Sequence, residues 1–129
     1  MKRYIWIAAL LTFGLCGAEI HGRPMLEATP FIQAKMEIGK GKPVFLEVGS
    51  DSCRSCRVMG KKLYGVVKQH PDYIIRFVNV KKEREAAVAL KVMMIPTQII
   101  FDGQGNEVYR HVGILEDEAL DGLLKTYQF

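Results

Sequence analysis

The chain has only 3 cysteines, 1 tryptophan and 5 prolines among its 129 residues. So few cysteines exclude a disulfide-dense miniprotein, and so few prolines, with no Gly-x-y period, exclude a collagen-like or Pro-rich filament. No apolar run approaches the roughly 20 residues that a bilayer-spanning helix needs, which excludes a multi-pass membrane protein. An excess of one charge is lacking too, with 18 Lys and Arg against 14 Asp and Glu. What is present is 49% hydrophobic and 25% charged residues, the composition of one ordinary globular domain.

The first 18 residues, MKRYIWIAALLTFGLCGA, differ in kind from the rest. Lys2 and Arg3 form a positive start, Tyr4 to Leu15 an uncharged apolar run, and Cys16-Gly17-Ala18 a small-x-small cleavage signal. This pattern is that of a secretory signal peptide, with cleavage expected after Ala18. Leu15 stands where lipid attachment at Cys16 would want a small residue, so a soluble periplasmic product is expected over a lipid-anchored one. Cleavage leaves 111 residues carrying 16 Lys and Arg against 14 Asp and Glu. A charge of about +2 gives no reason to expect nucleic acid as a partner. The only tryptophan, Trp6, leaves with the signal, as does Cys16, and Cys53 and Cys56 remain.

Residues 19–28 read as an irregular lead-in and 29–129 as a single domain without repeats. Thr29 and Pro30 predict a helix start, with Phe31, Ala34 and Ile38 on one face until Gly39 and Gly41 stop it. Val44 to Val48 predicts a buried strand carrying one carboxylate, Glu47, and Gly49 to Ser52 a turn. A helix is predicted from Cys53 to about Gln69, with Cys56, Met59 and Leu63 inward. Tyr73 to Val80 predicts a second strand and Lys81 to Lys91 a charged helix. Strand, helix and strand in succession imply a sheet that is parallel at its centre. Two strands, Thr97 to Phe101 and Glu107 to Val112, flank a turn-forming loop and are expected to pair antiparallel. Leu115 to Tyr127 predicts a closing amphipathic helix, with Leu115, Ala119, Leu123 and Leu124 inward.

The chemistry is concentrated in Cys53-Arg54-Ser55-Cys56. Two cysteines at i and i+3 on the first turn of a helix lie within disulfide reach, so the pair can cycle between dithiol and disulfide with little backbone movement. Cys53 occupies the positive end of the helix dipole, which favours its thiolate and makes it the expected nucleophile. Cys56, one turn further in, is the expected resolving thiol. An inert structural disulfide is a poorer reading, because closing a four-residue loop removes little chain entropy.

Several motifs together resemble thioredoxin: Lys42-Pro43-Val44, the run through Glu47 into Cys53-x-x-Cys56, Ile95-Pro96-Thr97, the loop from Gly103 to Glu107, and His111-Val112-Gly113. With the export signal, the chain looks most like a periplasmic thioredoxin-like protein, similar to the C-terminal domain of membrane disulfide reductases. The resemblance implies an α/β thioredoxin fold with a central mixed sheet of four to five strands flanked by helices. It implies that Pro96 is a cis-proline facing the active cysteines and that the Ile95 backbone pairs with an incoming substrate strand. It places Glu47 beneath the cysteines as proton acceptor for Cys56. Thioredoxins carry aromatic residues at the positions of Gly49 and Ser52 and Gly-Pro in place of Arg54-Ser55. These departures move substrate recognition onto a less apolar surface that includes Arg54 and Ser55.

The expected activity is thiol–disulfide exchange on exported proteins, in the direction of reduction. No cofactor beyond the Cys53–Cys56 couple is expected, a membrane-bound thiol reductase would supply electrons, and the protein would be a monomer. The alternatives are a dithiol oxidase or isomerase partner and a copper-binding carrier. His21, His70 and His111 are not placed as ligands by any motif, so no metal site is expected. Met93 and Met94, beside a core strand, read as packing residues.

Overall fold

A computed structural model describes residues 24–129; the signal peptide, Cys16 and His21 lie outside the described residues. The elements are α1 (Phe31–Glu37), β1 (Val44–Gly49), α2 (Arg54–Gln69), β2 (Ile74–Asn79), α3 (Arg84–Ala89), β3 (Thr97–Phe101), β4 (Glu107–Val112) and α4 (Asp117–Thr126). They form a thioredoxin fold, with one four-stranded sheet in the order β2-β1-β3-β4. β1 and β2 are parallel and joined through α2, whereas β1–β3 and β3–β4 are antiparallel. The parallel pair therefore occupies one side of the sheet and its centre is antiparallel, because β3 enters from the opposite end after α3.

Alternation along β1 divides the core between two faces. Val44, Leu46 and Val48 pack with Phe31 and Ala34 of α1 and Ala86 of α3. Phe45 packs on the other face with Met59 and Leu63 of α2 and Leu120 and Leu124 of α4. Each of the Val, Leu, Phe and Met side chains among these, fully buried, contributes about 1.5–3 kcal/mol. Of the residues predicted inward at the C-terminal helix, Leu115 and Leu124 are buried and Leu123 is half-buried against the same core, whereas Ala119 is exposed and Leu120 is buried in its place. The helix begins at Asp117, later than Leu115, and this sets its buried stripe on Leu120 and Leu124.

Two helix starts also differ from expectation. Thr29 does not cap α1; its N–H donates to the Phe77 carbonyl, and Pro30 holds the extended capping position. The first free N–H, that of Phe31, donates to both oxygens of Glu83, each at 3.1 Å. α3 is shorter than Lys81 to Lys91. Asn79 Oδ1 accepts from the Lys81 N–H and its carbonyl from Lys82 and Glu83, so a turn takes up the first residues. Lys91, at φ 54°, ends the segment in the left-handed region. The end of the lead-in covers the outer edge of the sheet, with Ala28 bridging Phe77 in the parallel sense.

Candidate active site

The cysteine pair is built by the junction of β1 and α2. Cys53 holds the N-cap position at φ −89° and ψ 122°, and its sulfur accepts from the Cys56 N–H at 3.3 Å. The two residues are joined as a disulfide with their Cα atoms 5.2 Å apart. Cys53 is half-buried while Cys56 has no exposed surface. The first turn of the 16-residue α2 contains no acidic side chain, so nothing there offsets the dipole's preference for a Cys53 thiolate. Ser55 Oγ lies 3.4 Å from Cys53 Sγ, and Arg54 is exposed beside it.

The approach to Cys53 is ordered by serines and lysines that the sequence patterns did not single out. Ser50 Oγ lies 2.9 Å from Ser52 Oγ, and Lys81 Nζ donates to Ser52 Oγ at 3.2 Å. Lys82 stands 4.0 Å from Asp51. Both lysines come from the turn after β2, which ends beside the C-terminal end of β1.

Glu47 is wholly buried. It shares the α2 face of β1 with Phe45 and with Gly49, against which Cys56 lies. Its carboxylate accepts from Gln98 Nε2, at 3.1 Å to Oε2 and 3.5 Å to Oε1. Burial pushes its pKa up to about 8, and the Gln98 hydrogen bond pulls in the opposite direction. No lysine forms an ion pair with it among the described residues.

The Ile95–Pro96 bond is cis. Thr97 lies opposite Val48, so Ile95 and Pro96 enter β3 at the end of the sheet where β1 passes into the Cys53 loop. The Pro96 carbonyl accepts from the Gly113 N–H at 2.9 Å, and Thr97 Oγ1 donates to the Met94 carbonyl at 2.6 Å. Pro96 is buried and Ile95 half-buried. Met93 and Met94 are not packing residues: 96% and 67% of their surface is exposed. Val92 packs on the α1 face instead, leaving the two methionines to project from the loop before Ile95. Ile114, next to Gly113, is exposed as well.

The histidines are dispersed. His70 stacks on Tyr73 at the far end of α2, with ring centroids 4.4 Å apart, while His111 lies opposite Gln98 on β4. Among the described residues no three His, Cys, Asp or Glu side chains gather as a metal-binding set. No helix among the described residues is long and apolar enough to cross a membrane.

A cysteine couple at a helix N-terminus, on a four-stranded mixed sheet with a cis-proline at the same end, defines a thiol–disulfide oxidoreductase of the thioredoxin-fold class. The chain belongs to the family described as Thioredoxin-like domain, which matches residues 32–128. It is 33% identical over 105 residues to the thiol:disulfide interchange protein DsbD of Escherichia coli (strain K12), a match covering 74% of this chain and 18% of that protein. It is 29% identical over 84 residues to the mitochondrial thioredoxin of Bos taurus, covering 64% of this chain and 50% of that one. The chain thus spans less than a fifth of the DsbD relatives it matches. Among solved structures, Fasciola hepatica thioredoxin superposes with a TM-score of 0.64 at 24% identity, covering 74% of this chain and 90% of that chain. A mutant thioredoxin from Halobacterium salinarum gives 0.67 at 20% identity, covering 83% and 92%. Both bear on the fold alone.

Proposed function

We propose that the protein reduces disulfides of exported proteins in the periplasm, acting as a monomer and using no cofactor beyond its own cysteine couple. The observation that carries this reading is the asymmetry of the pair: Cys53 is half-exposed at the start of α2 and Cys56 is buried one turn in. In the reduced protein the Cys53 thiolate attacks one sulfur of a substrate disulfide. A Cys53–substrate bond forms, the substrate S–S bond breaks, and the other substrate sulfur leaves as a thiolate that takes up a proton.

Cys56 then loses its proton to Glu47 and attacks Cys53 Sγ, forming the Cys53–Cys56 disulfide and expelling the second substrate sulfur. Two electrons pass to the substrate, and an external dithiol, for which a membrane-bound thiol reductase is the proposed source, restores the couple. A base near pKa 8 suits this role, since it releases and accepts protons close to neutral pH. Ile95, beside the cis-proline, offers its backbone to an extended substrate segment, flanked by Met93, Met94 and Ile114. Arg54 and Ser55 face the same substrate from the cysteine side. Export rests on the signal pattern in residues 1–18 and on the likeness to DsbD.

The reduction potential tests the direction. A value near about −270 mV supports reduction, and one near about −120 mV, typical of a strong oxidant, overturns it in favour of dithiol oxidation.

A further inference from the structure

Gln98 is a buried amide in an otherwise apolar stretch of β3, where Ile99 and Ile100 follow it. It lies directly opposite Glu47 on β1 and opposite His111 on β4, so three polar residues form a row across the sheet. Its Nε2 makes two hydrogen bonds, to Glu47 Oε2 at 3.1 Å and to the Gly113 carbonyl at 3.0 Å. A peptide carbonyl can only accept, so Gly113 fixes which end of the amide points towards it. With Nε2 held there, the same nitrogen meets Glu47, and the amide cannot turn its oxygen to the carboxyl without setting oxygen against oxygen at Gly113. Gln98 Oε1 is consequently buried without a hydrogen-bond partner. A leucine or methionine would fill this place without stranding an acceptor, and a stranded acceptor calls for an explanation.

Resting on the reading of Glu47 as the proton acceptor, we propose that Gln98 is a positioning residue: a donor fixed by Gly113 that holds the Glu47 carboxylate and favours its ionised form during resolution. A donor fixed towards a carboxyl group stabilises the ionised state more than the neutral one. This opposes burial, which otherwise keeps the proton on Glu47. The link also runs to the substrate side, because the Gly113 N–H holds the Pro96 carbonyl. Few other groups compete for this influence. α2 presents Cys56, Met59 and Leu63 to this face, β2 presents Ile75 and Phe77, and α4 presents Leu120 and Leu124. Lys62 of α2 is turned to the Leu115 carbonyl and Asp117. Among the described residues the titratable neighbours are thus Cys56, silent in the oxidised protein, and His111, whose Nε2 is buried without a partner.

The test uses Gln98→Met and Gln98→Leu, the first nearly isosteric in case the second does not fold. In the oxidised protein, where Cys56 does not titrate, the Glu47 side-chain carboxyl is followed by carbon-13 NMR against pH. In parallel, the pH dependence of single-turnover reduction of a model disulfide is measured. The carboxyl titration is expected to move up by about one to two pH units in either variant. The rate at pH 7 is expected to fall about ten-fold for each unit, with recovery at higher pH. An unmoved titration overturns the proposal. So does a titration that shifts equally in His111→Asn, which would assign the effect to the histidine. A titration that moves while the rate profile stays put in both Gln98→Met and Glu47→Gln leaves Gln98 as the group that ionises Glu47. That outcome overturns the catalytic role of the pair, Glu47 included.

Discussion

A β-carbon at Gly49 would lie 2.9 Å from Cys56 Sγ and 3.1 Å from Cys56 Cβ. The shorter separation is closer than real β-carbons come, so a side chain here would force Cys56 or the end of β1 to shift. Gly49 lacks the left-handed backbone angle that would itself demand glycine, so space is the constraint. Gly49→Ala is expected to cost about 1–3 kcal/mol by overpacking, read from urea unfolding of the oxidised and reduced forms. An unchanged midpoint in both would refute the close approach.

Glu47→Gln should improve stability while slowing turnover. The unfolded chain ionises this carboxyl near 4.5, whereas the folded protein keeps the proton to about 8. Its raised folded-state value therefore contributes stability that is intact below 4.5 and is lost as pH rises towards 8. The decline is about 1.4 kcal/mol per pH unit across that window. The amide variant lacks this decline, and its new oxygen still accepts from Gln98 Nε2. Unfolding at pH 4.5, 6 and 8 should show the gap between variant and parent widening with pH. A constant gap would mean that Glu47 ionises in the folded protein at an ordinary value.

Glu83 ties α3 to α1 by accepting from the Phe31 N–H with both oxygens. An N-terminal cap of this kind stabilises by about 1 kcal/mol, and the charge also suits the positive end of the helix. Glu83→Ala should lower the unfolding free energy by about that amount, leaving the reduction potential unchanged. If the potential moves instead, Glu83 acts on the cysteines and the capping account fails.

The exposed methionines beside Ile95 should matter for protein substrates. Met94→Asp places a charge where an apolar segment would lie, so kcat/KM with a protein disulfide should fall more than kcat/KM with a small soluble disulfide. An equal fall in both would show that the loop acts on the cysteine chemistry and not on substrate recognition.

The cysteine pair, the succession of elements through β4 and the buried carboxylate were legible in the sequence, because each depends on local spacing or on a motif; the antiparallel centre of the sheet was not, because it depends on β3 returning beside β1 rather than extending the parallel pair. Cys53 and Cys56 are one helical turn apart wherever the helix sits, and Thr97–Phe101 and Glu107–Val112 carry their pairing in the loop between them. Gln98 was invisible for the opposite reason. In one dimension it is a polar residue in a strand; its meaning comes from Glu47, 51 positions earlier, and from the Gly113 carbonyl. Glu83 read as part of a charged helix because its partner at Phe31 is 52 positions away. Met93 and Met94 were misjudged since apolar character alone does not tell which way an irregular loop turns its side chains.

Removing Cys56 gives the most direct test of the exchange chemistry. In the proposed cycle Cys56 forms the bond to Cys53 Sγ that expels the second substrate sulfur, so without it the Cys53–substrate disulfide has no internal thiol to break it. Cys56→Ala should accumulate covalent adducts with disulfide-bearing proteins, visible on non-reducing gels and removed by dithiothreitol. Cys53 stands half-exposed at the helix start and is the proposed source of the attacking sulfur, so Cys53→Ser combined with Cys56→Ala should yield no adducts. Adducts surviving in that double variant would have to come from another nucleophile. Their absence from the Cys56→Ala protein, in the presence of substrates that the parent reduces, would refute a mixed-disulfide route through Cys53.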